Sequence, residues 1–311
     1  MKQNVAAQGT PKRSLKARAW RQRYLFLMVL PGFLIVLVFS YFPMYGILIA
    51  FENYSVNKGV MGSEWVGFKH FMDFFTNPMA FRVVKNTLIL GVYNLLWSFP
   101  IPIVLAVLFN EIKNQKFKKL VQTVSYFPYF LSTVIVAGML LSFCSREGLF
   151  NQIRALIGLE PLLFLQDPGS FRTLFIGSGI WQGAGYGTIL YLAAISNIDP
   201  SLYDVASIDG ASRFQKIRHI TLPALRPTIT IMLIMAVGGI LGSDFQKIML
   251  LYTPQTYPVA DVIGTYTYRE GIAGARFEYT TAIGLFNSLI SFVLLAIANL
   301  ISRKASDTSL W

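Results

Sequence analysis

Two stretches of this 311-residue chain combine residue types and spacings that could do chemistry. The first is a run of glycines, Gly177, Gly179, Gly183, Gly185 and Gly187, which superficially resembles a backbone cradle for a nucleotide. The chain contains no G-x-x-x-x-G-K-[ST] loop, so it does not bind ATP in the P-loop manner. The glycines lie inside an uncharged apolar run, where small residues serve close helix packing. The second stretch, Ser196 to Arg226, is polar and punctuated like two short helices. Asp199 can cap the first helix, Pro200 takes the first-turn position where a missing N–H costs nothing, and Gly210 ends it. Pro223 and Pro227 bound the second helix before the next apolar run. On the first helix Leu202, Val205, Ala206 and Asp209 fall at three-to-four spacing, giving a narrow face with a small residue at its centre. Such a face can dock in a partner's groove, and so short a helix needs packing to hold it; a surface helix serving this chain alone fits the same spacing. Elsewhere the chemistry is sparse. His70 and His219 lie in predicted loops, Cys144 is the single cysteine, and no Cys/His cluster suggests a metal, so neither a catalytic set nor a metal site is expected.

The elements that must carry these stretches are apolar. The chain is 54% hydrophobic and 14% charged, against roughly a quarter charged in soluble domains. A bilayer core needs roughly 20 apolar residues of helix. Runs of about that length cover 24–51, 87–109, 121–143, 173–195, 225–242 and 280–301, the fifth being short and starting beside Arg226 and Pro227. The expected fold is an all-α integral membrane protein with about six transmembrane helices. It has a basic segment 1–23, one membrane domain 24–301 with a loop 196–226, and a tail 302–311.

Charge orients the spans. Lys2, Lys12, Arg13, Lys16, Arg18, Arg21 and Arg23 precede the first run with no acid among them, which places the amino terminus, and after an even number of spans the carboxyl terminus, in the cytoplasm. A cleaved signal peptide would have a shorter apolar run and a small-residue cleavage site after it. The whole net charge of +12 falls on the predicted inner segments, so no nucleic-acid partner is implied. No Asp, Glu, Lys, Arg or His falls in the middle of a predicted span, the nearest being Asp244 at the outer end of the fifth. Proton-coupled carriers usually bury such groups; an ion-coupled secondary transporter remains the alternative, because carbonyls of broken helices can hold sodium.

The 196–226 loop resembles the signature of ABC importer permeases: E-A-A, three residues, Gly, nine residues, Ile-x-Leu-Pro. It reads Asp204-Val205-Ala206, then Gly210, then Ile220-Thr221-Leu222-Pro223, with both spacings kept. Asp204 departs from the usual Glu and Val205 from the usual Ala; the shorter acid keeps the charge with altered reach. Pro43-Met44-Tyr45-Gly46, Trp65-Val66-Gly67-Phe68-Lys69-His70-Phe71, Ser125-Tyr126-Phe127-Pro128, Ile208-Asp209-Gly210-Ala211-Ser212 and Ser309-Leu310-Trp311 resemble the carbohydrate-uptake branch, and within it the permeases for complex oligosaccharides. The resemblance implies a type I importer permease fold in a bacterial cell membrane. It also implies a second, different permease, an ATPase dimer that carries the ATP and Mg, and an extracytoplasmic solute-binding protein, with no cofactor on this chain. The loop would be the coupling helix, with Leu202, Tyr203, Asp204, Val205, Ala206, Asp209, Gly210 and Pro223 at the ATPase.

A carbohydrate substrate would be held by aromatic faces and by amide or hydroxyl groups, because sugar rings offer C–H patches and many hydroxyls. The candidates in the predicted spans are Asn94, Trp97, Trp181, Gln182, Tyr186 and Asn287.

Overall fold

The computed structural model describes residues 22–242, 244–306 and 309–310. The basic residues from Lys2 to Arg21, which orient the first span, and the terminal Trp311 lie outside the described residues. Twelve helices position everything of interest. The long ones are α1 (Arg23–Phe51), α3 (Pro78–Glu111), α7 (Pro168–Ser196), α9 (Arg213–Gly238) and α12 (Phe277–Ser306). Between them come α2 (Lys69–Thr76), α4 (Gln115–Phe130), α5 (Thr133–Phe143), α6 (Leu149–Leu156), α8 (Pro200–Ile208), α10 (Phe245–Leu251) and α11 (Ile263–Thr267). β1 (Glu52–Asn53) and β2 (Glu64–Trp65) pair antiparallel after α1, with Glu52 opposite Trp65.

Side-chain caps set several helix starts. Asn77 accepts from the Met79 N–H ahead of α3, and Asp167 accepts from Gly169 and Ser170 at the head of α7; each is followed by proline, whose missing donor costs nothing in a first turn. These caps explain why two helices begin well before the apolar runs within them. α3 starts at Pro78 rather than 87, carrying Arg82 and Lys85 on its first turns, and α7 starts at Pro168 rather than 173. A charge-free run marks where a helix enters hydrocarbon; the hydrogen-bond ladder runs on to its cap.

Two expectations about spans are corrected. The run 121–143 is not one straight helix: α4 and α5 meet at 96°. Pro128 supplies no N–H near the end of α4, and Ser132 starts a fresh helix by accepting from the Ile135 N–H. The 196–226 stretch is likewise not two short helices followed by a span. Its second helix is the head of α9, which runs unbroken through a π turn at Ile217–Thr221, then Pro223, then Pro227. The ladder widens to π pairing just before Pro223, so neither proline bounds a helix.

Among the described residues, α1, α3, α9 and α12 are long and apolar enough to cross a membrane, and the bent α4–α5 pair would be a fifth span. α7 has the length, 29 residues, but its glycines and hydroxyls make it less apolar. It is the central helix: α3, α4 and α9 all pack on it. At Gly185 a Cβ would run into the carbonyl oxygen of Ser125, so glycine is what lets α4 approach.

The core falls into three clusters. Ala106, Val107, Tyr191, Ile195 and Leu225 join α3, α7 and α9 near α8. Leu90, Val136, Phe171 and Ile248 are among those joining α3, α5, α7 and α10, and Phe74, Val83, Tyr266 and Tyr279 among those joining α2, α3, α11 and α12. Beside the last cluster Asp261 is fully buried and bound by Arg269 through two hydrogen bonds, at 2.8 and 3.2 Å, and by the Thr265 hydroxyl at 2.8 Å. Asn86 of α3 donates to the backbone oxygens of Pro258 and Asp261 and accepts from Arg172 of α7 at 3.0 Å, so one polar network ties α3, α7 and α11 together.

Candidate functional site

Near the middle of the helices, α3, the α4 end, α7, α9 and α10 line a half-open cavity of about 600 Å³. Its wall on α7 includes Gly179, Gly183 and Gly187, and its polar groups include Asn94, Ser98, Gln182, Asp244 and Lys247. The glycine run thus splits in role. Gly185, and Gly187 against Pro102, serve packing as expected, whereas a Cβ at Gly177 or Gly183 would meet open space. Gly179 and Gly183 leave bare backbone facing the cavity, and Gly187 lines it while packing on Pro102.

The six candidate path residues fare differently. Asn94 and Gln182 line this cavity. Gln182 also pins the α4–α5 bend, its side-chain N–H donating to the Leu131 carbonyl at 3.0 Å. Tyr186 stacks on Tyr129, a lining residue, with ring centroids 3.8 Å apart and planes 3° from parallel. Trp181 instead lines a separate apolar cavity of about 330 Å³ with Met139, Phe143 and Phe150. Trp97 is 63% exposed and lines neither cavity. Asn287 of α12 also lies away from both, its side-chain oxygen buried without a hydrogen-bond partner. Sequence reasoning missed Ser98, Tyr129 and Lys247. Ser98 and Tyr129 carry no local signal beyond being polar near an apolar run. Lys247 sits after Asp244 and reads as a loop charge; packing alone buries it.

The second element is α8. Asp199 accepts from the Ser201 N–H at 2.9 Å, and hydrogen bonds from Ser201 hold its carboxyl below the usual range. At the other end Gly210 has φ +73°, the Ala211 N–H reaches the Ala206 carbonyl at 2.8 Å and the Gly210 N–H reaches Ser207 at 3.2 Å, the paired bonds of a glycine-terminated helix. Ser212 and Gln215 then form a capping box that starts α9. Two side-chain bonds tie α8 to α9: Tyr203 Oη with Thr221 Oγ1 at 2.9 Å, and Lys216 Nζ donating to Ser207 Oγ at 2.6 Å. Leu202, Asp204, Val205, Ile208, Asp209 and Gly210 face outward, with Ile208 at 86% exposure, and Ala206 is half-buried. Pro223 is exposed on the flank of α9 and lies inside that helix rather than at a boundary.

α9 connects the two regions. Its first turn follows directly from α8 and its last third, at Met232 and Ala236, lines the cavity. At 26 residues it is a rod of about 39 Å.

Several helices of membrane length around a cavity make this a multi-pass membrane protein. The chain belongs to the family of binding-protein-dependent transport system inner membrane components, whose model matches residues 98–307. It is a permease subunit of an ABC importer, a transport component and not an enzyme. It is 41% identical over 301 residues to the polygalacturonan/rhamnogalacturonan transport system permease protein YteP of Bacillus subtilis (strain 168), covering 96% of this chain and 94% of that one. It is also 41% identical over 292 residues to protein LplB of the same organism, covering 94% and 92%. Its fold matches a chain of the crystal structure of a bacterial alginate ABC transporter in complex with alginate pentasaccharide-bound periplasmic protein. There the TM-score is 0.88 and the identity 42%, over 96% of this chain and all of that one.

Proposed function

We propose that this permease forms half of the path by which an oligosaccharide enters the cell, and that α8 couples it to a separate ATPase. The observation that carries the reading is the continuity of α8, α9 and the cavity wall. A push on α8 passes through the short Gly210–Ser212 connection, which the Tyr203–Thr221 and Lys216–Ser207 bonds brace, into α9 and so to Met232 and Ala236, the sort of rigid-body transmission that alternating access needs. The exposed apolar face of Leu202, Val205 and Ile208, with half-buried Ala206 at its edge, has no partner within the chain's described residues, and we assign it to a cleft of the ATPase.

The remaining partners belong to the same reading. A second, different permease completes the path, an ATPase dimer binds ATP and Mg, and a solute-binding protein delivers substrate from outside. Both termini and the α8 loop are cytoplasmic in this arrangement, as the basic residues flanking the spans require. The names of YteP and of the alginate transporter support an oligosaccharide, and acidic ones are the first to try. Within the cavity the Tyr129–Tyr186 stack offers a ring face, and Asn94, Ser98 and Gln182 offer hydrogen bonds.

The test is uptake into proteoliposomes that hold the complete transporter with its binding protein. ATP-dependent accumulation of a trisaccharide such as trigalacturonate or maltotriose is the expected result. Accumulation driven by a sodium or proton gradient without ATP would overturn the reading.

A further inference from the structure

Lys247 is 3% exposed, and it lines the 600 Å³ cavity. A buried ammonium is costly unless its charge is matched, and this one is poorly matched within the chain. Of its three donors, one reaches the Phe175 carbonyl at 3.4 Å, an oxygen that already accepts from the Ser178 hydroxyl at 3.0 Å. The face of the Phe175 ring lies 5.3 Å away. None of the ion pairs among the described residues includes Lys247. Asp244, one turn earlier and also at the cavity, spends one carboxylate oxygen on the Lys247 backbone N–H at 3.2 Å, capping α10. On α7 near the ammonium stands Gly179, where a Cβ would be 3.9 Å from Nζ, so that position puts no side chain against it.

We propose that Lys247 is the cavity's carboxylate-binding residue, and that it selects oligosaccharides built of uronic acids. The inference rests on the oligosaccharide reading and sharpens its substrate class. A uronosyl unit carries both groups this corner lacks. Its carboxylate accepts a charge-assisted hydrogen bond from the ammonium, and its ring hydroxyls donate to the free oxygen of Asp244. A neutral hexose brings hydroxyls alone and leaves the ammonium with only the through-space charge of Asp244, which lies beyond ion-pair distance.

The experiment uses the assembled transporter with its binding protein in proteoliposomes, and trigalacturonate and maltotriose as probes. Lys247→Met lowers trigalacturonate uptake about tenfold to a hundredfold, the loss expected for one hydrogen bond to a charged group, while Lys247→Arg restores most of it. Binding-protein-stimulated ATP hydrolysis stays near the wild-type rate in both variants, because the lesion lies in the path rather than in coupling. Equal falls in hydrolysis and uptake in both variants, or unchanged trigalacturonate uptake in Lys247→Met, would overturn the proposal.

A second measurement needs no variant. Carbodiimide activation of bound trigalacturonate joins its carboxyl carbon to an amine in contact with it, releasing the urea, and mass spectrometry locates the new amide. An adduct at Lys247 supports the site; adducts at other lysines only would refute it. A wild-type transporter that accumulates maltotriose but not trigalacturonate overturns the uronate site and leaves the importer reading standing. One that accumulates neither overturns both.

Discussion

The Asp261 network and α8 are both polar, and the chain finishes one and leaves the other open. Asp261 is sealed from solvent, and its carboxylate is shared by Arg269 and Thr265, with Arg82 at 3.9 Å; its neighbour Asn86 uses both ends of its amide. α8 satisfies its backbone ends with Asp199 and Gly210 but exposes Leu202, Val205 and Ile208. Saturated polar groups fix three elements in one arrangement. An exposed apolar face on a well-capped helix is shape held ready for another molecule. The difference separates what this chain must do alone from what it does only in a complex.

The contrast can be broken at either end. Asp261→Ala should have the largest effect, because it removes the buried acceptor that Arg269, Thr265 and Arg82 share; the two guanidiniums left behind are about a third exposed, so water offsets part of the roughly 3–5 kcal/mol that breaking a fully buried pair costs. Thermal unfolding of the purified permease pair should shift strongly downward. An unchanged midpoint would mean that the network is not structural.

Gly210→Trp comes next. The open space around Gly210 tolerates a side chain in the isolated chain, but φ +73° does not suit one, at roughly 1–2 kcal/mol. The variant should insert and pair with the second permease while ATPase copurification falls severely. Normal copurification with normal stimulated hydrolysis would remove α8 from the coupling role.

Tyr203→Phe is the mildest. It deletes the bond to Thr221 that aligns α8 on α9, worth about 0.5–1.5 kcal/mol. Assembly should persist and stimulated hydrolysis should drop a few-fold. A larger loss of assembly would mean that α8 is held by its own chain more than its surface suggests.

Much of this contrast was legible in the sequence, and unevenly so. The α8 ends could be read directly, because Asp199-Pro200 and Gly210 act within a few residues of themselves. The same local chemistry was present at Pro128 and Ser132, yet a charge-free run from 121 to 143 masked it; hydropathy is blind to direction, and the bend shows only in the proline and the cap. Pro223 misled in the opposite sense. It reads as a boundary, while a π turn lets the helix pass through it. The cavity was the least legible part. Trp97, Trp181 and Asn287 have suitable chemistry but sit on other faces, whereas Lys247 was unremarkable by type and is defined by what packs over it. Helix facing depends on contacts between α3, α7, α9 and α10, which are far apart in sequence.

The bare wall of α7 carries a consequence for how such a transporter could change. Gly179, Gly183 and Gly187 recur every fourth residue, so they form one row along the helix. An alanine at Gly183 would meet nothing within 4 Å, while one at Gly187 would crowd Pro102. The cavity can therefore be narrowed at the level of Gly183 with no change in charge or hydrogen bonding. Glycine and alanine codons differ by a single nucleotide, which puts a narrower cavity within one mutation of this gene.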